Sequence, residues 1–113
     1  MTHAFEEFLE RRERGNDKLL NTDSLAIKRF MSLDKQVYGD GALPVKTKEL
    51  LGLVASAVLR CNDCIDYHLQ RCLEEGCDKA ELDEALAVAM MVGGSIVIPH
   101  ARHAAETIDY LQE

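Results

Sequence analysis

Along the chain, apolar positions recur three and four residues apart, and no segment alternates as a half-buried strand would. Phe5, Phe8 and Leu9 mark a short, highly charged helix over residues 5–14, which Gly15 and Asn16 are expected to end. Asn21, Thr22, Asp23 and Ser24 offer a cluster of N-cap candidates for a second helix. That helix carries Leu25, Ile27, Phe30, Met31, Leu33, Val37 and Tyr38, and Gly39 and Gly41 stop it. Pro44 suits the opening of a third helix, with Glu49 in its early turns. Leu50 to Leu59 then run almost without a polar break. A helix apolar on every face reads as central and buried on most sides, in so short a chain with help from a partner subunit.

Polarity changes abruptly at Arg60-Cys61-Asn62-Asp63-Cys64. Asn62 or Asp63 is expected to cap a fourth helix that runs to about Glu75 and stops at Gly76. Asp78 and Glu81 have the spacing of a capping box ahead of Leu82, Leu86, Met90 and Val92, and the Met90-Met91 pair reads as core filler. Gly93-Gly94 interrupts this fifth helix, and Ser95 is expected to cap a last one through Ile98, Ala101, Ala105, Ile108 and Leu111. Pro99 falls in its first turn, where a missing N–H costs little. The pattern predicts an all-α protein: a single domain over residues 1–113, built as a compact bundle of five to six helices.

Composition narrows the classes of partner. A chain of 113 residues has room for one core, and two prolines and seven glycines favour helices. The net charge of −7 repels nucleic acid, and the one basic cluster, Arg11, Arg12 and Arg14, is interleaved with Glu10 and Glu13. The N-terminus is acidic where a secretory signal would be basic, and the longest apolar stretches, residues 50–59 and 85–99, are too short to span a membrane. A cytoplasmic setting is therefore expected. There Cys61, Cys64, Cys72 and Cys77 are better candidates for redox or metal chemistry than for a structural disulfide framework.

The candidate chemistry lies in Cys61-Asn62-Asp63-Cys64-Ile65-Asp66-Tyr67-His68. On a helix, Cys61, Cys64 and His68 share one face, and Cys72 extends it by a turn. A Cys61–Cys64 disulfide at that spacing is somewhat strained and readily reduced, which suits a working bond. A helix N-terminus favours thiolate, His68 can take the thiol proton, and Glu49 can orient the imidazole. If the third and fourth helices fold back around residues 60 and 61, Glu49 lands opposite about residue 72, within reach of His68 directly or through one water. Asp63 and Asp66 oppose a thiolate.

Glu49, then eleven residues, Cys61-x-x-Cys64, three residues and His68 resemble the alkylhydroperoxidase D-like branch of the carboxymuconolactone decarboxylase superfamily. The similarity runs from Pro44 to the C-terminus and includes the apolar helix before the motif and the Gly93-Gly94 break after it. It implies an all-helical fold, assembly as a trimer or hexamer, and peroxide- or disulfide-reducing activity without a cofactor. It also implies that Cys64 attacks, Cys61 resolves, His68 serves as base and Glu49 relays protons, with a thioredoxin-like or lipoyl-type dithiol as reductant. In one departure, Asp63 stands where the branch's namesake has histidine.

Two other classes compete. Cys61, Cys64, His68 and Cys72 are acceptable zinc ligands, although one straight helical stripe converges poorly on a tetrahedral ion, so no metal is assigned. The chain could alternatively be a non-catalytic oligomeric module, or a superfamily decarboxylase or lactone enzyme that retains its cysteines. Cys72 and Cys77 read as small core-facing thiols. His100 and His103 read as structural residues near the start of the last helix.

Overall fold

A computed structural model describes residues 3–113. It contains six α-helices: α1 (Ala4–Leu20), α2 (Leu25–Val37), α3 (Val45–Val58), α4 (Asn62–Glu74), α5 (Lys79–Gly93) and α6 (Ile98–Leu111). A 3-10 turn at Ser95–Val97 joins the last two, and no strand occurs among the described residues. The all-α class follows directly. None of these helices is long and apolar enough to cross a membrane.

The chain divides into two compact units, one ending at Gly39 and the other spanning Asp40–Glu113. In the first, α1 runs straight through Gly15 and Asn16, where the sequence led us to expect its end. An exposed interior glycine costs only about 1 kcal/mol, and the eleven helical residues on its N-terminal side propagate across it. The helix stops at Asn21 instead, just before the Thr22–Ser24 segment that opens α2. Ser24 caps α2, its Oγ accepting the Ile27 N–H at 3.3 Å.

In the second unit, α3 packs on α4 and α5, and α4 packs on α6. The core is Leu53 and Ala57 of α3, Ile65, Leu69 and Cys72 of α4, Leu82, Leu86 and Ala89 of α5, and Val97, Ala104 and Ile108 from the chain that follows. Asp78 and Glu81 form the expected capping box of α5, with bonds of 2.8 and 3.0 Å. Ser95 does not cap α6. It opens the 3-10 turn instead, and α6 starts at Ile98 without a side-chain cap, Pro99 lying in its first turn.

Burial of the apolar helices is one-sided. α3 buries Glu49, Gly52, Leu53, Ser56 and Ala57, but Leu51 and Leu59 stay exposed. Met91 is 85% exposed and Met90 37%, so that pair is not core filler. At 3.6 residues per turn, α5 can direct Leu82, Leu86 and Ala89 inward, but the same register turns Met91 and Val92 away.

Candidate functional site

The site begins where α3 ends. Arg60 adopts φ 62°, a left-handed conformation usually left to glycine. Its N–H bonds to the Ala57 carbonyl (3.1 Å) and the Cys61 N–H to the Ser56 carbonyl (3.0 Å), closing a Schellman turn. Holding a non-glycine residue there costs about 1–2 kcal/mol, placed directly beside the first cysteine.

That turn makes Cys61 the first extended residue (φ −107°, ψ 100°) and therefore the N-cap of α4. Its Sγ accepts the Cys64 N–H at 3.2 Å. Asn62 and Asp63, the expected caps, fall inside the helix's first turn. Cys61 is half-buried and Cys64 exposed, and both are free thiols. Partial burial, then the hydrogen bond to Cys61 and the nearby charges of Cys61 and Asp63, push the Cys64 thiol up to about 11. At neutral pH Cys64 therefore keeps its proton, and its reactivity depends on a base to remove it.

His68 lies one turn beyond Cys64 and is only 8% exposed. Its Nδ1 stands 2.8 Å from Oε1 of Glu49, which α3 buries to 1% exposure. Nδ1–H donates to that carboxylate, which makes Nε2 the basic ring nitrogen. No bridging water is needed to span the gap. The other carboxylate oxygen of Glu49 lies 3.6 Å from Nε of Arg71, whose remaining nitrogens reach Glu74 (2.7 Å) and Glu75 (3.3 Å). A buried carboxylate is thus compensated on both sides.

Gly52 completes the fit. A Cβ there would lie 2.6 Å from Cε1 of His68 and 2.8 Å from Nε2, so only glycine lets the ring lie flat against α3. Sequence reasoning missed both Gly52 and Arg71. A lone glycine one turn after Glu49 in an otherwise apolar helix was the available signal for the first. Arg71, three residues beyond His68, was hidden by its equally plausible pairing with Glu74 and Glu75.

Two histidines of α6 fix another side of α4. His100 Nδ1 lies 2.8 Å from Oδ1 of Asn62, between the cysteines in sequence. His103 Nε2 and Thr107 Oγ1 both bond Oδ1 of the buried Asp66, each at 2.8 Å. Asp66 is therefore an anchor between α4 and α6. Cys72 is buried one turn beyond His68, hydrogen-bonded to Cys77 and near the Glu49 carboxylate. Among the described residues, no three His, Cys, Asp or Glu side chains are grouped to hold a metal ion.

The model of the carboxymuconolactone decarboxylase family matches residues 25–107, a span that holds Glu49, Cys61, Cys64 and His68. The chain belongs to the carboxymuconolactone decarboxylase family. Its fold matches that of a carboxymuconolactone decarboxylase family protein of Thermotoga maritima, described as having possible involvement in antioxidative response. That match has TM-score 0.90 and 54% identity, covering 94% of this chain and 90% of the other. The apo form of a family protein from Legionella pneumophila superimposes with TM-score 0.90 at 26% identity, over 99% and 100% of the two chains. In sequence, the chain is 32% identical over 80 residues to uncharacterized protein 4 of the cox locus of Paracoccus denitrificans, covering 71% of this chain and 72% of that one.

The raised thiol sets a pH dependence for the family motif in this chain. Alkylation of Cys64 by iodoacetamide, followed on its own peptide in a His68→Ala protein, is expected to accelerate about tenfold per pH unit from 7 to 10, because only the thiolate reacts. A rate already level at pH 7 would show a pre-formed thiolate and contradict the assignment.

Proposed function

We propose that this protein is a thiol-dependent peroxidase or disulfide reductase of the alkylhydroperoxidase D-like branch, cycling Cys61 and Cys64 between dithiol and disulfide. The observation that carries this proposal is the buried Glu49–His68 hydrogen bond one turn beyond two thiols that bond each other. A protonated, exposed thiol beside an oriented imidazole is a nucleophile awaiting its base. The antioxidative involvement suggested for the Thermotoga relative, at 54% identity, supports the same chemistry.

In the proposed cycle, His68 takes the Cys64 proton, and the thiolate attacks the outer oxygen of a hydroperoxide. The O–O bond breaks, Cys64 becomes a sulfenic acid, and the alcohol leaves with the proton from His68. Cys61 then attacks the Cys64 sulfur and expels water. Two thiols and one hydroperoxide give one disulfide, one alcohol and one water. Glu49 holds the imidazole in its reactive tautomer and stabilises the imidazolium. An external dithiol, thioredoxin-like or lipoyl-type, reduces the disulfide, and a reducing cytoplasm is the setting that such recycling requires.

The role assignment has a direct readout. With hydroperoxide and a dithiol donor, Cys64→Ser is expected to lose turnover to background. Cys61→Ser is expected to undergo one oxidation per subunit without forming the Cys61–Cys64 disulfide. Normal activity in Cys64→Ser would show the assignment to be wrong.

Assembly as a homo-oligomer is part of the proposal. Phe30 (73% exposed), Leu59 (77%) and Met91 (85%) are large apolar side chains that a single chain leaves in water. Light scattering is expected to give a trimer or hexamer at micromolar concentration, and a monomer would count against it.

A further inference from the structure

The sulfur chemistry of α4 does not end with Cys61 and Cys64. Cys72 and Cys77 flank the helix's C-terminal turn, 0% and 6% exposed. The chain leaves α4 through Gly76 at φ 93°, whose N–H bonds the Leu73 carbonyl at 3.1 Å, while the Cys77 N–H bonds the Cys72 carbonyl at 2.9 Å. These two bonds define a Schellman termination, and that motif brings the side chains at its two ends into contact. Usually the contacting pair is apolar. Here it is two thiols, hydrogen-bonded to each other.

We propose that Cys72 and Cys77 are a second dithiol, able to close into a disulfide across the C-terminal turn of α4 independently of Cys61 and Cys64. The backbone bond already sets their spacing, so closure asks for no movement of α3, α5 or α6.

The two thiols are not equivalent, and this sets the order of events. Burial raises both, but their mutual hydrogen bond raises Cys72 and lowers Cys77, so the Cys72 S–H donates to the Cys77 sulfur. Of the charges at Cys77, the Glu81 carboxylate opposes a thiolate most, the Lys46 ammonium favours it and Asp78 opposes it least. Cys72 instead faces the Glu49 carboxylate, against a smaller opposing effect of Arg71. Cys77 therefore reacts first. With a small-molecule disulfide as oxidant, the Cys77 thiolate attacks one sulfur, forming a mixed disulfide and releasing one thiolate. Cys72 gives its proton to that thiolate, attacks the Cys77 sulfur and expels the second thiolate, which takes a proton from water. Two protein thiols are oxidised to one disulfide, and the small disulfide is reduced to two thiols. Access comes from opening of the turn alone, where Glu74, Gly76 and Asp78 are all exposed.

The test isolates this pair. A folded, reduced Cys61→Ser/Cys64→Ser protein is incubated with oxidised glutathione, its thiols counted and its disulfides mapped by mass spectrometry, with helicity checked by circular dichroism. Both remaining thiols are expected to disappear into a Cys72–Cys77 bond with no glutathione retained. Adding Cys72→Ser should trap one glutathione on Cys77, and adding Cys77→Ser should leave Cys72 unmodified. Wild-type protein, mapped the same way, should show the Cys72–Cys77 bond alongside any at Cys61–Cys64, so the outcome does not hang on the variants folding. Thiols that stay reduced in the folded protein, a bond that forms only in denaturant, or a Cys77 adduct that persists beside an intact Cys72 would each overturn the proposal.

Discussion

The hydrogen bond between Glu49 and His68 is the constraint around which the second unit is arranged. A carboxylate 1% exposed is tolerated only with partners, and it has the imidazole on one oxygen and the Arg71 guanidinium near the other. To bring His68 that close, α3 gives up a side chain at Gly52, and the α3–α4 turn must reverse the chain sharply enough to set residue 49 against residue 68. Leu53, Ala57, Ile65 and Leu69 then fill the interface on either side. The polar pair is thus held by the core rather than floating at its edge. An imidazole held this way keeps its position one turn from the Cys64 thiol.

α4 is framed at both ends by the same device. α3 terminates in a Schellman turn with Arg60 left-handed and Cys61 next; α4 terminates in one with Gly76 left-handed and Cys77 next. In the first, the cysteine becomes the N-cap of the following helix and accepts the Cys64 N–H. In the second, it contacts Cys72, which lies about three helical turns, or about 16 Å at 1.5 Å per residue, from Cys61. At that length the two thiol pairs cannot exchange directly, and the Glu49 carboxylate acts on Cys72 alone among the shifted thiols. On another side, Asp66 and Asn62 tie the helix to His103, Thr107 and His100, so the motif's first turns are pinned to α6 as well.

The helical architecture was legible because the apolar residues of the second unit run at helical spacing or on every face, never in strand alternation, and because the Asp78–Glu81 box marks one helix start plainly. The motif's face was legible too, since Glu49, Cys64 and His68 follow from helical spacing once α3 and α4 are folded together. What sequence could not show was local backbone geometry. Arg60 carries none of glycine's warning of a left-handed turn, so Cys61 was not recognised as a cap. Gly15 carried that warning falsely, because flanking helix outweighs one glycine. Met91 and Val92 show the remaining gap: an apolar residue signals burial, but periodicity does not say whether this chain or another covers it.

The most direct measurement is the rate at which a Cys61–Cys64 disulfide appears after one equivalent of hydroperoxide is mixed at pH 7 with fully reduced, metal-free protein, in wild type and in His68→Ala. Wild type is expected to lose two thiols rapidly, mapped to that one bond. The variant is expected to be slower by about 10²–10⁴-fold, as for loss of a general base, with the gap narrowing as pH rises toward the thiol's own range. Equal rates in the two proteins, or scattered oxidation with no Cys61–Cys64 bond in wild type, would contradict a buried Glu49–His68 pair that serves the thiols.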